Sequence, residues 1–177
     1  QYVRLMVNKG SVVNRIKVFD HSRAGVAREE VCKNTLLKNN YITRVADYFW
    51  SSPAVTAYYV EKAEITQNHM QDLPYTGVSL GWGWDSWLPY AFAGKENKVT
   101  NNYFENLMTE NFDGGAIYTI GRNTNSFITG NYINECRLPF GAIYLDTAST
   151  GFTVEGNAIE NVGRYFFANP NYETRLE

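Results

Sequence analysis

The chain has 177 residues, a formal net charge of −2 and 15% aromatic residues, including 13 Tyr and 4 Trp. That length suits one domain with a substantial core, and the near-balanced charge gives no support for a nucleic-acid or anionic-membrane partner. No apolar run approaches the ~20 residues that a membrane helix needs. Asn is abundant and Leu-rich helical segments are scarce, a composition that suits turns better than helix interiors. The chain opens at Gln1 without a signal peptide, as a mature product or an excised fragment would.

Residues 1–35 are the least regular. VRLMV and SVVNRIKVF are β-branched and strand-like, and HSRAGVAREEV reads as a loop or a short helix. From Leu37 a phrase recurs: an apolar residue, Asn three positions later, and a second apolar residue two positions after that. It occurs as LKNNYI (37–42), ITQNHM (65–70), VTNNYF (99–104), ITGNYI (128–133) and VEGNAI (154–159). The Asn positions are Asn40, Asn68, Asn102, Asn131 and Asn157, so copies lie 26 to 34 residues apart. Repeats of that length, built of short strands and turns, predict a single-stranded right-handed parallel β-helix of about five to six coils. The whole chain is then one all-β domain. Its regular coils span about 30–162, with residues 1–29 as an N-terminal coil or cap and 163–177 as a tail.

Stacked at ~4.8 Å per coil, the five Asn would form a column, each amide donating to and accepting from its neighbours. They are read as a structural ladder and not as ligands. Cys32 and Cys136 lie several coils apart in this scheme, too far to bridge, and are expected as buried thiols.

A second column follows the ladder. AVTAYY (54–59), GVSLGW (77–82), GAIYTI (115–120) and GAIYLD (141–146) align without gaps. This places Val55, Val78, Ala116 and Ala142 together, and Ala57, Leu80, Tyr118 and Tyr144 together. The segment 83–94 (GWDSWLPYAFAG) breaks the period, and insertions in such folds cluster on one face, often the binding face.

Three carboxylates stand near this second strand: Asp85, Asp113 and Asp146. Paired carboxylates are the machinery of glycoside hydrolysis, one as acid and the other as nucleophile or base. Each could equally make an Asx turn at a strand end. In the alignment Asp146 lies over Ile120, whereas Asp113 lies under Pro139, seven positions from that register. Asp113 and Asp146 therefore meet only if the chain bends between them, and Asp146 with Asp85 is an equally open pair. Trp82, Trp84, Trp87 and Tyr90 crowd one segment with Tyr118 and Tyr144 nearby, and three Trp in six residues cannot all face inward. Exposed aromatics beside acids suit the flat faces of sugar rings. Arg122 is a weaker candidate for an anionic substrate group, His69 reads as a structural histidine beside a ladder Asn, and His21 falls in the irregular region. The His and Cys have no zinc-site spacing, and there is no phosphate loop, nucleotide fingerprint or Ser-His-Asp motif.

LPYTGVSLGWGW, DGGAIYTIG and IYLDTAS resemble recurring segments of β-helical glycoside hydrolases in the pectate-lyase-like superfamily of bacterial and fungal extracellular proteins. The resemblance covers roughly residues 30–162. It implies a secreted, cell-surface or periplasmic protein and an acidic site on an outer groove, mapping to Asp113 and Asp146 with Asp85 as a third candidate. The paired-Asp, Gly-His-Gly and Arg-Ile-Lys signatures of polygalacturonase-type enzymes are missing, apart from an isolated Arg15-Ile16-Lys17. There is also no calcium-binding acidic cluster of the pectate-lyase kind. The expectation is a hydrolase acting on a polysaccharide or oligosaccharide without a cofactor. A polysaccharide lyase, which would bring calcium, and a non-catalytic glycan-binding module are the alternatives.

Overall fold

The computed structural model describes residues 31–82, 94–137 and 140–169. Every strand pairing among them is parallel, and no helix occurs among the described residues. The chain visits three sheets in turn, and does so repeatedly. The first sheet holds, among others, Leu36–Lys38, Glu64–Thr66, Lys98–Thr100, Arg122–Thr129 and Thr150–Glu155. The second holds Tyr41–Thr43, His69–Gln71, Tyr103–Leu107, Tyr132–Cys136 and Ala158–Glu160. The third holds Val55–Ala57, Val78–Leu80, Ile117–Thr119, Ile143–Leu145 and Phe166–Ala168.

Most strands are only two to five residues long, because left-handed corners interrupt them. The residue before each repeating Asn sits at positive φ: Asn39 (57°), Gln67 (54°), Asn101 (54°), Gly130 (66°) and Gly156 (61°). Gly and Asn reach this region at low cost, which explains their use in four of the five copies. The corner turns the chain from the first sheet to the second and leaves a buried polar backbone to satisfy.

The Asn column does so. Asn40 Nδ2 donates to Asn68 Oδ1 (2.8 Å), Asn68 Nδ2 to Asn102 Oδ1 (3.0 Å), Asn102 Nδ2 to Asn131 Oδ1 (3.0 Å) and Asn131 Nδ2 to Asn157 Oδ1 (2.9 Å). Each Oδ1 also accepts the backbone N–H of the Asn one circuit earlier, at 3.0 to 3.1 Å. The three central members are no more than 2% exposed. A shorter column that the repeat phrase does not reveal stands at another corner. There Asn97 accepts from Ala63 N (2.9 Å), and its Nδ2 donates to Asn123 Oδ1 (3.0 Å).

The apolar residues flanking each Asn point into one continuous core. Leu37, Ile65, Val99, Ile128 and Val154 share one register column, and Ile42, Met70, Phe104, Ile133 and Ile159 the next. Val99, Ile128, Met70, Phe104 and Ile133 are fully buried. Burial of each such side chain contributes about 1.5–3 kcal/mol, so the core drives association of the strands while the amides fix their register. Cys32 and Cys136 are unbridged on strands of different sheets; Cys136 is buried as expected, whereas Cys32 is only partly buried. Burial pushes the Cys136 thiol up to about 12. His69 stacks on Tyr103 (4.5 Å) and meets Tyr41 edge-on (4.9 Å) on the outer face of the second sheet, with Glu105 at 3.6 Å, in keeping with a structural role.

The third sheet corrects one expectation. Val78 pairs with Ile117, not Ala116, and Tyr118 pairs with Ser79, not Leu80. The residue pair Gly114–Gly115 adds one position ahead of the strand, and a slip of one residue exchanges the two faces of a strand. Thr119 therefore lies between Leu80 and Leu145, while Tyr118 and Tyr144 project from the outer face with Thr56, Ser79 and Phe167 in their column. The regular stack also extends past residue 162, since Phe166–Ala168 pairs with Ile143–Leu145.

Replacing Asn102 by Ala removes the acceptor of the Asn68 backbone N–H and of one Nδ2 hydrogen of Asn68, whose other Nδ2 bond, to Leu37 O, remains. At about 1–3 kcal/mol for each orphaned group, the variant should lose roughly 3 kcal/mol of unfolding free energy in urea titration. Asn40→Ala, at the exposed end of the ladder, should lose clearly less. Equal losses would show that the column is not held together by these amides.

Candidate active site on the outer face of the third sheet

Asp146 follows the strand Ile143–Leu145, one position beyond the inward-facing Leu145. Its backbone N–H donates to Thr119 O (3.0 Å), continuing the ladder of hydrogen bonds into this position. The residue is 8% exposed, and its carboxylate collects donors from three directions. Tyr118 Oη donates to Oδ2 at 2.6 Å, Asn169 Nδ2 to Oδ1 at 2.8 Å, and Thr147 Oγ1 to Oδ1 at 3.2 Å. Burial alone would push this carboxyl up. The hydrogen bonds from Tyr118, Asn169, the Thr147 backbone and Tyr144 outweigh it and hold Asp146 below the usual carboxylate range. Tyr118 is raised far above an ordinary phenol by burial and by its bond to Asp146, so it stays a donor.

Asp113 lies on the loop that leads into the strand Ile117–Thr119. Glu110 N and Asn111 N both donate to Pro74 O (3.1 Å), and Tyr75 Oη donates to the Asp113 carbonyl, so this loop is clamped to the preceding circuit. Gly114 N donates to Phe112 O (3.0 Å), a tight reversal beside Asp113. A Cβ on Gly114 would stand 2.5 Å from Thr76 Oγ1 and 2.8 Å from the Tyr75 ring, which explains glycine there. Asp113 is an exposed residue, yet its carboxyl is raised by partial desolvation against this wall and by the negative charge of Asp146. The bend thus brings within electrostatic reach two carboxylates that seven strand positions would have kept apart. Tyr75 feels both: burial first, then Asp113 and Asp146, raise its hydroxyl.

The two carboxyls are therefore shifted in opposite directions. Asp146 is a buried anion held by fixed donors, whereas Asp113 holds its proton more tightly than an ordinary carboxyl does. Environments that split the affinities of neighbouring carboxyls in this way assign one to the acid role and one to the base or nucleophile role.

The remaining candidates divide. Tyr118 and Tyr144 are only 7% and 4% exposed, so little of either ring faces solvent. Tyr144 packs against Tyr118 (5.2 Å), Phe140 (5.5 Å) and Phe167 (5.2 Å), forming a small apolar cluster on the outer face that walls in Asp146. Trp82, half-exposed, leans on Tyr58 (5.0 Å) and Tyr59 (6.1 Å) just past the strand Val78–Leu80. Arg122 is exposed at the start of a first-sheet strand, paired in register with Thr150, and makes none of the hydrogen bonds that fix Asp146. Asp85, Trp84, Trp87 and Tyr90 lie outside the described residues. Tyr75, Asn169, Phe140 and Phe167 were not singled out by sequence reasoning. The signal was faint: each falls outside the repeating phrase, and Asn169 reaches Asp146 from the following circuit. Among the described residues no group of three or more His, Cys, Asp or Glu is placed to hold a metal ion, and no helix is long and apolar enough to cross a membrane.

No family model matches the chain, and no curated protein matches it. Among solved structures it is similar to a chain titled "Glycoside hydrolase", with a TM-score of 0.66 and 28% sequence identity. The match covers 81% of this chain and 24% of the other, so the present chain spans about a quarter of that protein's length.

Removing the 2.6 Å donor should let Asp146 rise toward the ordinary carboxylate range. In Tyr118→Phe, carboxyl-carbon NMR titration should show this rise, and unfolding free energy at neutral pH should fall by about 1.5 kcal/mol, the low end for a hydrogen bond to a charged group. A depressed carboxyl stabilises the fold above its unfolded pKa and loses that contribution as pH falls through the folded value. The difference between variant and parent should therefore shrink in acid. An unmoved Asp146 titration would remove Tyr118 from this role.

Proposed function

We propose that the three parallel sheets are the faces of one right-handed parallel β-helix, and that the chain is the part of a secreted or cell-surface glycoside hydrolase that carries its catalytic pair. The observation that carries this reading is the coupled pair Asp113 and Asp146, with opposite shifts, on one outer surface. The likeness to a structure titled "Glycoside hydrolase" supports it. Asp113, raised and exposed, is the general acid that protonates the glycosidic oxygen as the bond to the anomeric carbon breaks. Asp146, kept ionised by Tyr118, Asn169 and Thr147, either attacks the anomeric carbon or takes the proton of the attacking water. The hydrogen bonds from fixed side chains hold it ready with little reorganisation. The chemistry calls for no cofactor, and the substrate is a polysaccharide or oligosaccharide.

Asp113→Asn and Asp146→Asn should each lower kcat on a cleaved glycan by a thousandfold or more, while far-ultraviolet circular dichroism stays unchanged. Parental activity in either variant removes that residue from the mechanism. A product absorbing in the ultraviolet as an unsaturated uronate, formed only with calcium, would replace hydrolysis by elimination.

The raised Asp113 carboxyl has a further consequence. Between its ordinary value and its folded value, the folded chain binds more protons than the unfolded one, so this residue makes stability fall as pH rises. Asp113→Asn should therefore raise the melting temperature at neutral pH and lose that advantage in acid, a trade of stability for function. A lower melting temperature at neutral pH would contradict the strained-acid assignment.

A further inference from the structure

Four large aromatic side chains stand out of the surface next to Asp113: Tyr48 is 83% exposed, Phe49 65%, Trp50 58% and Phe112 63%. Tyr48, Phe49 and Trp50 sit in the connection between Tyr41–Thr43 and Val55–Ala57, and Phe112 immediately precedes Asp113. The connection is built, not loose. Phe49 N donates to Ala46 O (3.0 Å), Ser52 N to Phe49 O (2.8 Å), and Ala46 holds a φ of 65°. Trp50 Nε1 donates to Asp47 O (2.9 Å), which ties down the indole.

A second set of bonds joins this connection to the Asp113 loop across 60 residues of sequence. Asn111 Nδ2 donates to Trp50 O (3.3 Å) and to Ser51 Oγ (3.1 Å). The aromatic strip and the loop that presents Asp113 therefore form one surface. Exposed aromatics concentrated on two tethered segments are not the scattered apolar residues that any surface carries, and they mark a binding region.

We propose that Tyr48, Phe49, Trp50 and Phe112 form a platform for an uncharged glycan chain, extending from the acid Asp113 and holding sugar units beyond the bond that is cleaved. The proposal rests on the hydrolase reading above. The negative faces of the rings attract the positively polarised C–H edges of pyranose units. Charge selects the class of glycan. The two segments, residues 44–54 and 108–113, carry Asp47, Glu110 and Asp113 against Arg44 alone. A polyuronate would meet net negative charge, and a neutral chain would not.

The test is affinity electrophoresis of the full chain in native gels containing hydroxyethyl cellulose, xyloglucan or polygalacturonate. Asp146→Asn serves as a background in which turnover cannot erode the gel. Retardation is expected in at least one neutral gel and not in polygalacturonate. Adding Trp50→Ala, or Phe49→Ala and Phe112→Ala together, should weaken it about tenfold. These residues are exposed, so unchanged circular dichroism is expected, and either variant set suffices if the other misfolds. Unchanged retardation in both sets, preferential retention by polygalacturonate, or no retention in any gel would overturn the platform. So would a fall from dimer to monomer in light scattering without any change in retardation, which would make the strip a self-association surface. Retention by a neutral glycan that the parent chain never cleaves would leave the platform standing and sink the hydrolase reading. Cleavage with a KM unmoved by Trp50→Ala would do the reverse.

Discussion

The column of Asn side chains is the constraint on which the other features depend. Each circuit needs a sharp corner between the first and second sheets, and a corner exposes backbone N–H groups to the interior, where an unmet donor costs about 1–3 kcal/mol. An amide that accepts from the backbone and side chain of one Asn while donating to the next meets that need in a single residue type. Because the bond exists only when successive Asn are in register, it also aligns the strands on either side. Apolar burial supplies the larger driving force, but it would tolerate small offsets that the amides do not.

That alignment reaches the third sheet only indirectly, through connections of variable length. The register there is set by packing, and Gly114–Gly115 admits the extra residue that puts Tyr118 outside. Had Tyr118 paired with Leu80, its hydroxyl would have faced the core and Asp146 would have lost its shortest donor. Instead Thr119 takes the interior slot, bonded to Ser149 (2.8 Å), and Tyr118 reaches Asp146 along the outer face. One residue of register thus separates a buried phenol from a site that fixes a carboxylate.

The two acids illustrate how neighbourhood, not residue type, sets chemistry. Asp146 is the more buried, yet it is the one kept ionised, because three side-chain donors replace the water it lost. Asp113 is the more exposed, yet it is the one pushed toward its neutral form, by desolvation and by the like charge of Asp146. Burial by itself would have predicted the opposite order.

Periodicity in the sequence was sufficient to determine the all-β character, the parallel stacking of short strands, the five ladder residues and the core columns around them. Those features repeat once per circuit and obey the local rule that an apolar residue, a left-handed corner and an Asn recur in fixed order. The acids were visible as candidates for the same reason, since nothing in the repeat required Asp at 113 or 146. Tertiary structure alone decided which candidates meet. It supplied the reversal at Phe112–Gly114, the clamp from Tyr75, the approach of Asn169 from the next circuit and the tether from Asn111 to Trp50. Each of these joins residues 23 or more positions apart, or turns on a bend of one or two residues. A side-chain pattern cannot express such contacts, because they depend on how far one circuit is offset from the next and not on what either circuit contains.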